Sequence, residues 1–448
     1  MLTADDNERL CQVGAGTPMG EVLRRYWVPA FPAGDLPEPD CPPIGLSVLG
    51  EELVAFRDSA GRLGVLDELC CHRGASLVYG RVEEGGLRCI YHGWKFDTAG
   101  RIVEMPNCVN PAVMERIRQQ HYPVVEAGGL GWVYLGPSGT EPEFPRYPWM
   151  AAAPGELTVS ELLYDCNWLQ VQEGSLDSSH LGALHLDTLA ATRPGRRRLG
   201  SFEFPGELWD PSARLPGGGT AEGNPSDDNA PRIVAEDTPF GFHYAAIRRT
   251  PDPSKVYVRV TALSFPYVAH IGGTGGAVIV VPRDDESCSF IGVFARRLPG
   301  AEPPADPASW RDRPWDPYPT RARALALPGQ DRVAMAERKS FAGIRGGNRY
   351  QDAVVQGIGR RRRTYGRATE HLVPADAAIV RLRHLLVDSA RRLEAGEAPH
   401  GLGNGYDYGQ IKAASAVIAA DQPWQALVPG NAGVAEVASD ATTSTAGG

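Results

Sequence analysis

Cys70-Cys71-His72-Arg73-Gly74 and Cys89-Ile90-Tyr91-His92-Gly93 are the stretches on which the reading of this chain turns. They spell C-x-H and C-x-x-H, so each loop carries one thiolate and one imidazole. A zinc finger usually pairs cysteines on one element and histidines on the other, with longer histidine spacing. Loops that each bring one sulfur and one nitrogen suit two metal ions of different chemistry, with each loop serving both. Gly74 and Gly93 let backbone N–H groups approach such a centre, and Tyr91 and Trp94 can shield it or hydrogen-bond to it. Simple C-x-H geometry makes Cys70 the ligand and Cys71 a passenger.

The centre with that ligand supply is a Rieske [2Fe–2S] cluster, in which one iron takes two thiolates and the other two imidazoles. Neutral imidazoles in place of thiolates lower the negative charge at the iron pair and raise its reduction potential. The surrounding texture agrees. Leu46-Ser47-Val48-Leu49, Leu53-Val54-Ala55-Phe56, Leu63-Gly64-Val65-Leu66, Leu87-Arg88-Cys89-Ile90 and Gly131-Trp132-Val133-Tyr134-Leu135 are short runs between turn residues, which predicts a small antiparallel β domain.

A second constellation follows at Asn167 to His185, where Asp177, His180 and His185 spell D-x-x-H-x-x-x-x-H. On one helix Asp177 and His180 share a face, while His185 lies about 140° from His180. Gly182 can supply the distortion that aims both rings at one ion. Two imidazoles and one distant carboxylate form the facial triad of non-haem Fe(II) oxygenases, which leaves positions open for O₂. Asp177 is then placed to orient a histidine through its other ring nitrogen. Spacing alone does not select the carboxylate among Asp352, Glu370, Asp376 and Asp388.

Length and composition set the frame. The chain has 448 residues, enough for two or three compact units. Its formal charge of −9 argues against a general nucleic-acid or anionic-membrane partner. The start is acidic, without a signal-peptide pattern, and no apolar run reaches the roughly 18 to 20 residues that span a bilayer, so the expectation is a soluble cytoplasmic protein. Eight cysteines without an export signal read as thiols or metal ligands.

Residues 1–34 carry a helical pattern, with Met19, Val22, Leu23 and Tyr26 following Gly16-Thr17-Pro18. The first metal-binding unit is expected over 35–145 and a catalytic unit over 146–430. The latter should hold a helix over about 168–186, strands near Phe242–Arg249, Val256–Phe265, Ala277–Val281 and Phe290–Ala295, and a last helix from Pro374 that buries Ile379, Leu382, Leu385, Leu386 and Leu393. Residues 206–231 read as a long mobile insertion, and 431–448 as a disordered tail.

With these motifs the chain resembles the Rieske non-haem iron oxygenases, and among them the oxygenase components of the phthalate 4,5-dioxygenase type. The likeness includes Leu2-Thr3-Ala4-Asp5-Asp6-Asn7, Arg24-Arg25-Tyr26-Trp27, Cys70 to Leu77, Tyr91 to Asp97, 167–185, Tyr244 to Arg249, Gln351-Asp352 and Glu370-His371-Leu372. The resemblance implies an α+β fold: a small antiparallel Rieske domain, and a helix-grip (START-like) catalytic domain on which the N-terminal helices pack. It implies that Cys70, His72, Cys89 and His92 hold the cluster, and that His180, His185 and Asp352 hold a mononuclear Fe(II). It further implies a head-to-tail homotrimer or a dimer of trimers, with Asp177 linking His92 of one subunit to His180 of the next. Cys71 departs from the family, where proline is common; the 206–231 insertion is long, and Arg360 to Arg363 is an unusually basic run that could attract an acidic reductase.

The implied activity is that of a terminal oxygenase, which uses O₂ and electrons to hydroxylate or oxidatively O-demethylate an aromatic acid. Gly14-x-Gly16-x-x-x-Gly20 misses the dinucleotide pattern G-x-G-x-x-G, so a separate NAD(P)H-dependent reductase, or a ferredoxin with its reductase, is required. Arg248 and Arg249 lie on an expected strand, where alternation turns one inward to clamp a carboxylate. Rival readings are a hydroxylase of a non-aromatic metabolite, a Rieske electron carrier that leaves His180 and His185 unexplained, and a zinc-binding interaction module.

Overall fold

Thr3 and Thr17 open the first two helices of the computed structural model, Ala4–Cys11 and Pro18–Leu23, each accepting a hydrogen bond from a backbone N–H of the first turn. The structure describes residues 2–108, 110–153, 155–190, 197–199, 201–204, 223–295, 322–323, 329–345, 347–357 and 367–432. The helical pattern expected over 1–34 stops at Leu23. Trp27–Pro32 is a strand instead, because Pro29 and Pro32 have no N–H for a helix ladder. It pairs antiparallel with Leu130–Tyr134, and its register shifts between Pro29 and Phe31.

Two four-stranded antiparallel sheets build the region of the cysteine loops. One orders Ile44–Val48, Glu51–Arg57, Leu63–Asp67 and His121–Tyr122; the other orders Arg81–Glu83, Gly86–Arg88, Lys95–Phe96 and Ile102–Glu104. Val54, Phe56, Leu66, Leu77, Leu87, Trp94 and Phe96 pack between them as a separate small core, and Cys70 and Cys89 are part of it.

The larger unit is a nine-stranded sheet. Its path runs through Arg232–Thr238, Gly241–Arg249, Lys255–Ser264, Val268–Ile271, Gly276–Pro282, Cys288–Ala295, Leu157–Tyr164 and Ala322–Arg323, and Ala414–Ala419 also pairs with Lys255–Ser264. The four expected strands fall on this sheet. The last helix, Ala377–Glu394, buries Ile379, Leu382, Leu385 and Leu386 and packs on Pro18–Leu23 and on Arg232–Thr238.

Buried charge ties the helices together. Glu173 accepts hydrogen bonds from Arg367 Nε at 2.9 Å and Arg383 Nε at 2.7 Å, and Arg383 reaches Glu370 at 2.7 Å. Two cations and two anions cancel, which is what lets the group sit out of water.

Two expectations about loops are corrected where residues are described. Within 206–231, residues 223–231 are packed: Asn224 and Asp228 are buried, and Asn224 Nδ2 donates to Leu189 O at 3.3 Å. A buried carboxylate must be partnered, and Asp228 takes both sides of the Arg249 fork. At the start of the tail expected from 431, Asn431 is instead buried, bonding Lys412 N and O at 2.8 Å. Residues 205–222, 358–366 (with Arg360 to Arg363) and 433–448 lie outside the described residues.

Candidate metal centres

The two cysteine loops are closed in the same way. Gly74 N donates to Cys70 O at 2.8 Å and Gly93 N donates to Cys89 O at 2.9 Å, with both glycines at positive φ. A side chain at either position would strain the turn that brings sulfur and imidazole to one side. The His72 and His92 ring centres lie 4.4 Å apart, and His72 stacks on Trp94. Trp94 is held by Asn107 through Nε1 at 2.7 Å. Gln119, buried, accepts from Cys71 N at 2.7 Å and donates to Asp67 O and Leu69 O, propping the first loop from behind. Sequence reading missed Asn107 and Gln119, since both act from distant positions in the chain.

The donors fit a two-iron cluster better than one ion. A tetrahedral zinc with ligands at about 2.0 to 2.3 Å would gather all four donors to within about 4 Å. Among the described residues, the one group of three or more donors within 4.8 Å lies elsewhere, so these four are spread more widely. His72 Nδ1 is buried with no protein hydrogen-bond partner, as a metal-directed nitrogen would be.

The group that does converge is His180, His185 and Asp352. The two Nε2 atoms face each other at 3.2 Å, and Asp352 Oδ1 lies 3.5 Å from His180 Nε2 and 3.1 Å from His185 Nε2. Ligands at about 2.1 Å and right angles around one ion stand about 3 Å apart, so the spacing matches three adjacent vertices of an octahedron. Asp352 Oδ1 is buried without a protein hydrogen bond, and a cation would satisfy it. The other candidate carboxylates are engaged: Glu370 with Arg383, Asp376 with Val373 N, and Asp388 with His400.

The single helix expected over 168–186 is corrected. The helix Trp168–Leu176 stops at Asp177, His180–Gly182 is one 3₁₀ turn, and Leu186–Ala190 starts a new helix. Asp177 breaks the ladder because its Oδ1 accepts from Ser179 N at 2.7 Å, Ser179 Oγ at 2.8 Å and His180 N at 3.3 Å. The break does what helix distortion was expected to do. Gly182 serves another purpose: a Cβ there would lie 1.7 Å from Asn229 Oδ1, so any larger residue would displace the Asn229 side chain.

Asp177 Oδ2 faces His180 Nδ1 at 3.4 Å. Burial opposes ionisation of Asp177, but the hydrogen bond and charge of His180, with Ser179, outweigh it and hold the carboxyl at about 2. His185 Nδ1 meets Gln351 Oε1 at 2.7 Å. The sequence flagged Gln351 only as the neighbour of Asp352.

Of the two candidate substrate residues, the strand Gly241–Arg249 turns Arg248 inward and Arg249 outward. Arg249 is 83% exposed and its fork grips Asp228, so it faces away from the interior. Arg248 donates through Nη2 to Ser178 O at 2.6 Å and through Nε to Asp228 O at 3.1 Å, while its Nη1 is buried without a partner. Burial, followed by the like charge of Arg259, lowers the Arg248 guanidinium to about 10. Arg259 has no ion pair or hydrogen bond among the described residues, and its charge reaches His180 and Tyr244. Its signal in the sequence was a lone charge inside the apolar run Val256-Tyr257-Val258-Arg259-Val260.

Comparison with known proteins adds the decisive observation. Residues 26–123 match the Rieske [2Fe-2S] domain family, and 133–202 with 211–445 match the family described as LigXa C-terminal domain like. This chain is a Rieske non-haem iron oxygenase. The phthalate 4,5-dioxygenase oxygenase subunit of Pseudomonas putida is 34% identical to this Rieske oxygenase, covering 95% of this chain and 94% of that protein. The 3-chlorobenzoate-3,4-dioxygenase oxygenase subunit of Comamonas testosteroni is 34% identical over 91% of this chain and 93% of its own. The solved structure of dicamba monooxygenase bound to dicamba covers 84% of this Rieske oxygenase and 99% of that chain, with a TM-score of 0.55 at 19% identity; it shares the fold. No helix among the described residues is long and apolar enough to cross a membrane.

Proposed function

We propose that this protein is the terminal oxygenase component of a Rieske system, using O₂ and electrons from a separate reductase to hydroxylate or oxidatively O-demethylate an aromatic acid. The observation that carries the reading is the convergence of His180, His185 and Asp352 in a chain that also bears a C-x-H and a C-x-x-H loop. Cys70, His72, Cys89 and His92 would hold the [2Fe–2S] cluster, and the triad a mononuclear Fe(II). When bound, the cluster supplies one-electron transfer and the ferrous ion supplies the O₂ chemistry. The chain's own contribution is to hold both imidazoles and the carboxylate on one side of the ion, leaving the other side for substrate and O₂.

An acid substrate is supported by buried positive charge that no carboxylate oxygen contacts. Arg248 meets only carbonyl and hydroxyl oxygens, and Arg259 meets no anion among the described residues. A substrate carboxylate would neutralise this pair and fix which ring edge is presented to the iron site. Arg259→Leu is expected to raise KM for an aromatic acid by roughly 10- to 100-fold, the loss of one charge-assisted contact, while the KM for O₂ stays put. Unchanged KM for every turned-over acid would point to an uncharged substrate. The test of the whole reading is substrate-dependent O₂ uptake with a surrogate reductase across phthalate-, chlorobenzoate- and methoxybenzoate-like acids.

We also place the protein in the cytoplasm as a homotrimer, or a dimer of trimers. Ile90 and Tyr91, beside the cluster histidine His92, are 61% and 56% exposed, an apolar edge suited to a covering neighbour. Asp177 of that neighbour would link His92 to His180. Asp177→Ala should then slow product formation by roughly 10- to 100-fold while the cluster spectrum stays intact; normal turnover would refute the link.

A further inference from the structure

We propose that Gln351 is a positioning residue that locks His185 in the tautomer with its proton on Nδ1, leaving Nε2 as a bare lone pair at the metal position. This rests on the triad being a metal site. The lock begins at a backbone carbonyl. Gln351 Nε2 donates to Ile344 O at 3.2 Å, which assigns the amide orientation, because the flipped amide would set two acceptors against each other. The amide oxygen is therefore the atom that faces His185 Nδ1 at 2.7 Å, and an amide oxygen only accepts. Nδ1 must carry the hydrogen, and a neutral imidazole then has its lone pair on Nε2.

Water cannot take over this task. Gln351 and His185 are each 1% exposed, so the contact is sealed. The helix Asn348–Gly357 that carries Gln351 also carries Asp352, and its first turn is pinned from outside: Tyr164 Oη donates to Arg349 O at 2.5 Å and Arg349 Nη1 to Ser160 Oγ at 2.6 Å. One rigid helix thus sets both the carboxylate vertex and the tautomer of the facing imidazole. The two histidines are held by different chemistry. His180 leans on the ionised Asp177, whereas His185 leans on a neutral amide, so the interior gains a directed hydrogen bond without a second buried anion beside Asp352.

The experiment is anaerobic equilibrium dialysis of Fe(II) into cluster-loaded protein stripped of its mononuclear metal, comparing wild type, Gln351→Met, Gln351→Glu and His185→Ala. Gln351→Met keeps the volume and removes the acceptor; its Fe(II) dissociation constant should rise ten- to a hundredfold, with the reduced-cluster EPR signal and thermal melt unchanged. Gln351→Glu presents an oxygen to Nδ1 whether ionised or protonated, and should bind Fe(II) close to wild type. Wild-type affinity in Gln351→Met overturns the proposal. So does equal weakening in both Gln351 variants, which would mark mere packing, and the Glu arm decides alone if the Met variant does not fold. If His185→Ala binds like wild type, the metal reading itself has failed, a result separable from failure of the tautomer lock.

Discussion

Asp352→Ala is expected to lose the second metal and keep the first. Wild type incubated with ferrous iron and gel-filtered should hold about three irons to two acid-labile sulfides per chain, and the variant about two to two, with product formation at background. The reason is geometric. Asp352 Oδ1 is the one anionic donor of the triad, and its removal leaves two imidazoles 3.2 Å apart with no carboxylate to ligate a divalent ion. The cluster should be untouched, since Cys70 and Cys89 belong to a separate small core with Phe56, Leu87 and Phe96. Asp352→Asn, which keeps an oxygen but not the charge, should fall between. Three irons retained in Asp352→Ala would show that the ion is held elsewhere.

The second large effect is expected from Glu173→Ala, a residue that belongs to neither set of donors. Glu173 is almost wholly buried and stands between Arg367 and Arg383. Removing it leaves two interior guanidiniums with Glu370 as the remaining carboxylate of the network, which by analogy with broken buried pairs costs about 3 to 5 kcal/mol. The urea midpoint of the catalytic unit should drop accordingly. Glu173 sits on the same helix, Trp168–Leu176, that ends at Asp177, so iron occupancy should fall with it. Replacing Glu173, Glu370, Arg367 and Arg383 together by apolar residues of similar volume should recover much of the loss, because the desolvation cost leaves with the charges. An unchanged midpoint in Glu173→Ala would remove the network from any account of stability.

Much of the fold was legible because its signals are short-range. Strand alternation placed the central strands within a residue or two of Gly241–Arg249, Lys255–Ser264, Gly276–Pro282 and Cys288–Ala295. Errors came where a local feature competes with periodicity. Pro29 and Pro32 ended a helical reading that the apolar spacing alone would have continued, and the Asp177 side chain captured three donors and split what reads as one helix. Polar composition suggested mobility at 223–231 and at the start of the tail, yet Asp228 and Asn431 are buried because each found partners on the large sheet or beside it.

By itself the sequence determined the family signature: each thiolate–imidazole pair and the pair His180 and His185 is encoded within a few neighbouring residues. Spacing left Asp352 level with Glu370, Asp376 and Asp388, and family likeness alone favoured it; the tertiary structure brought Asp352 to the two histidines, turned Arg248 inward beside Arg259, and set Gln351 against His185 from 166 residues away. Spacing constrains side chains on one local element, whereas the meeting of distant elements is decided by which buried faces pack, and that sum over the whole core is written at no single position.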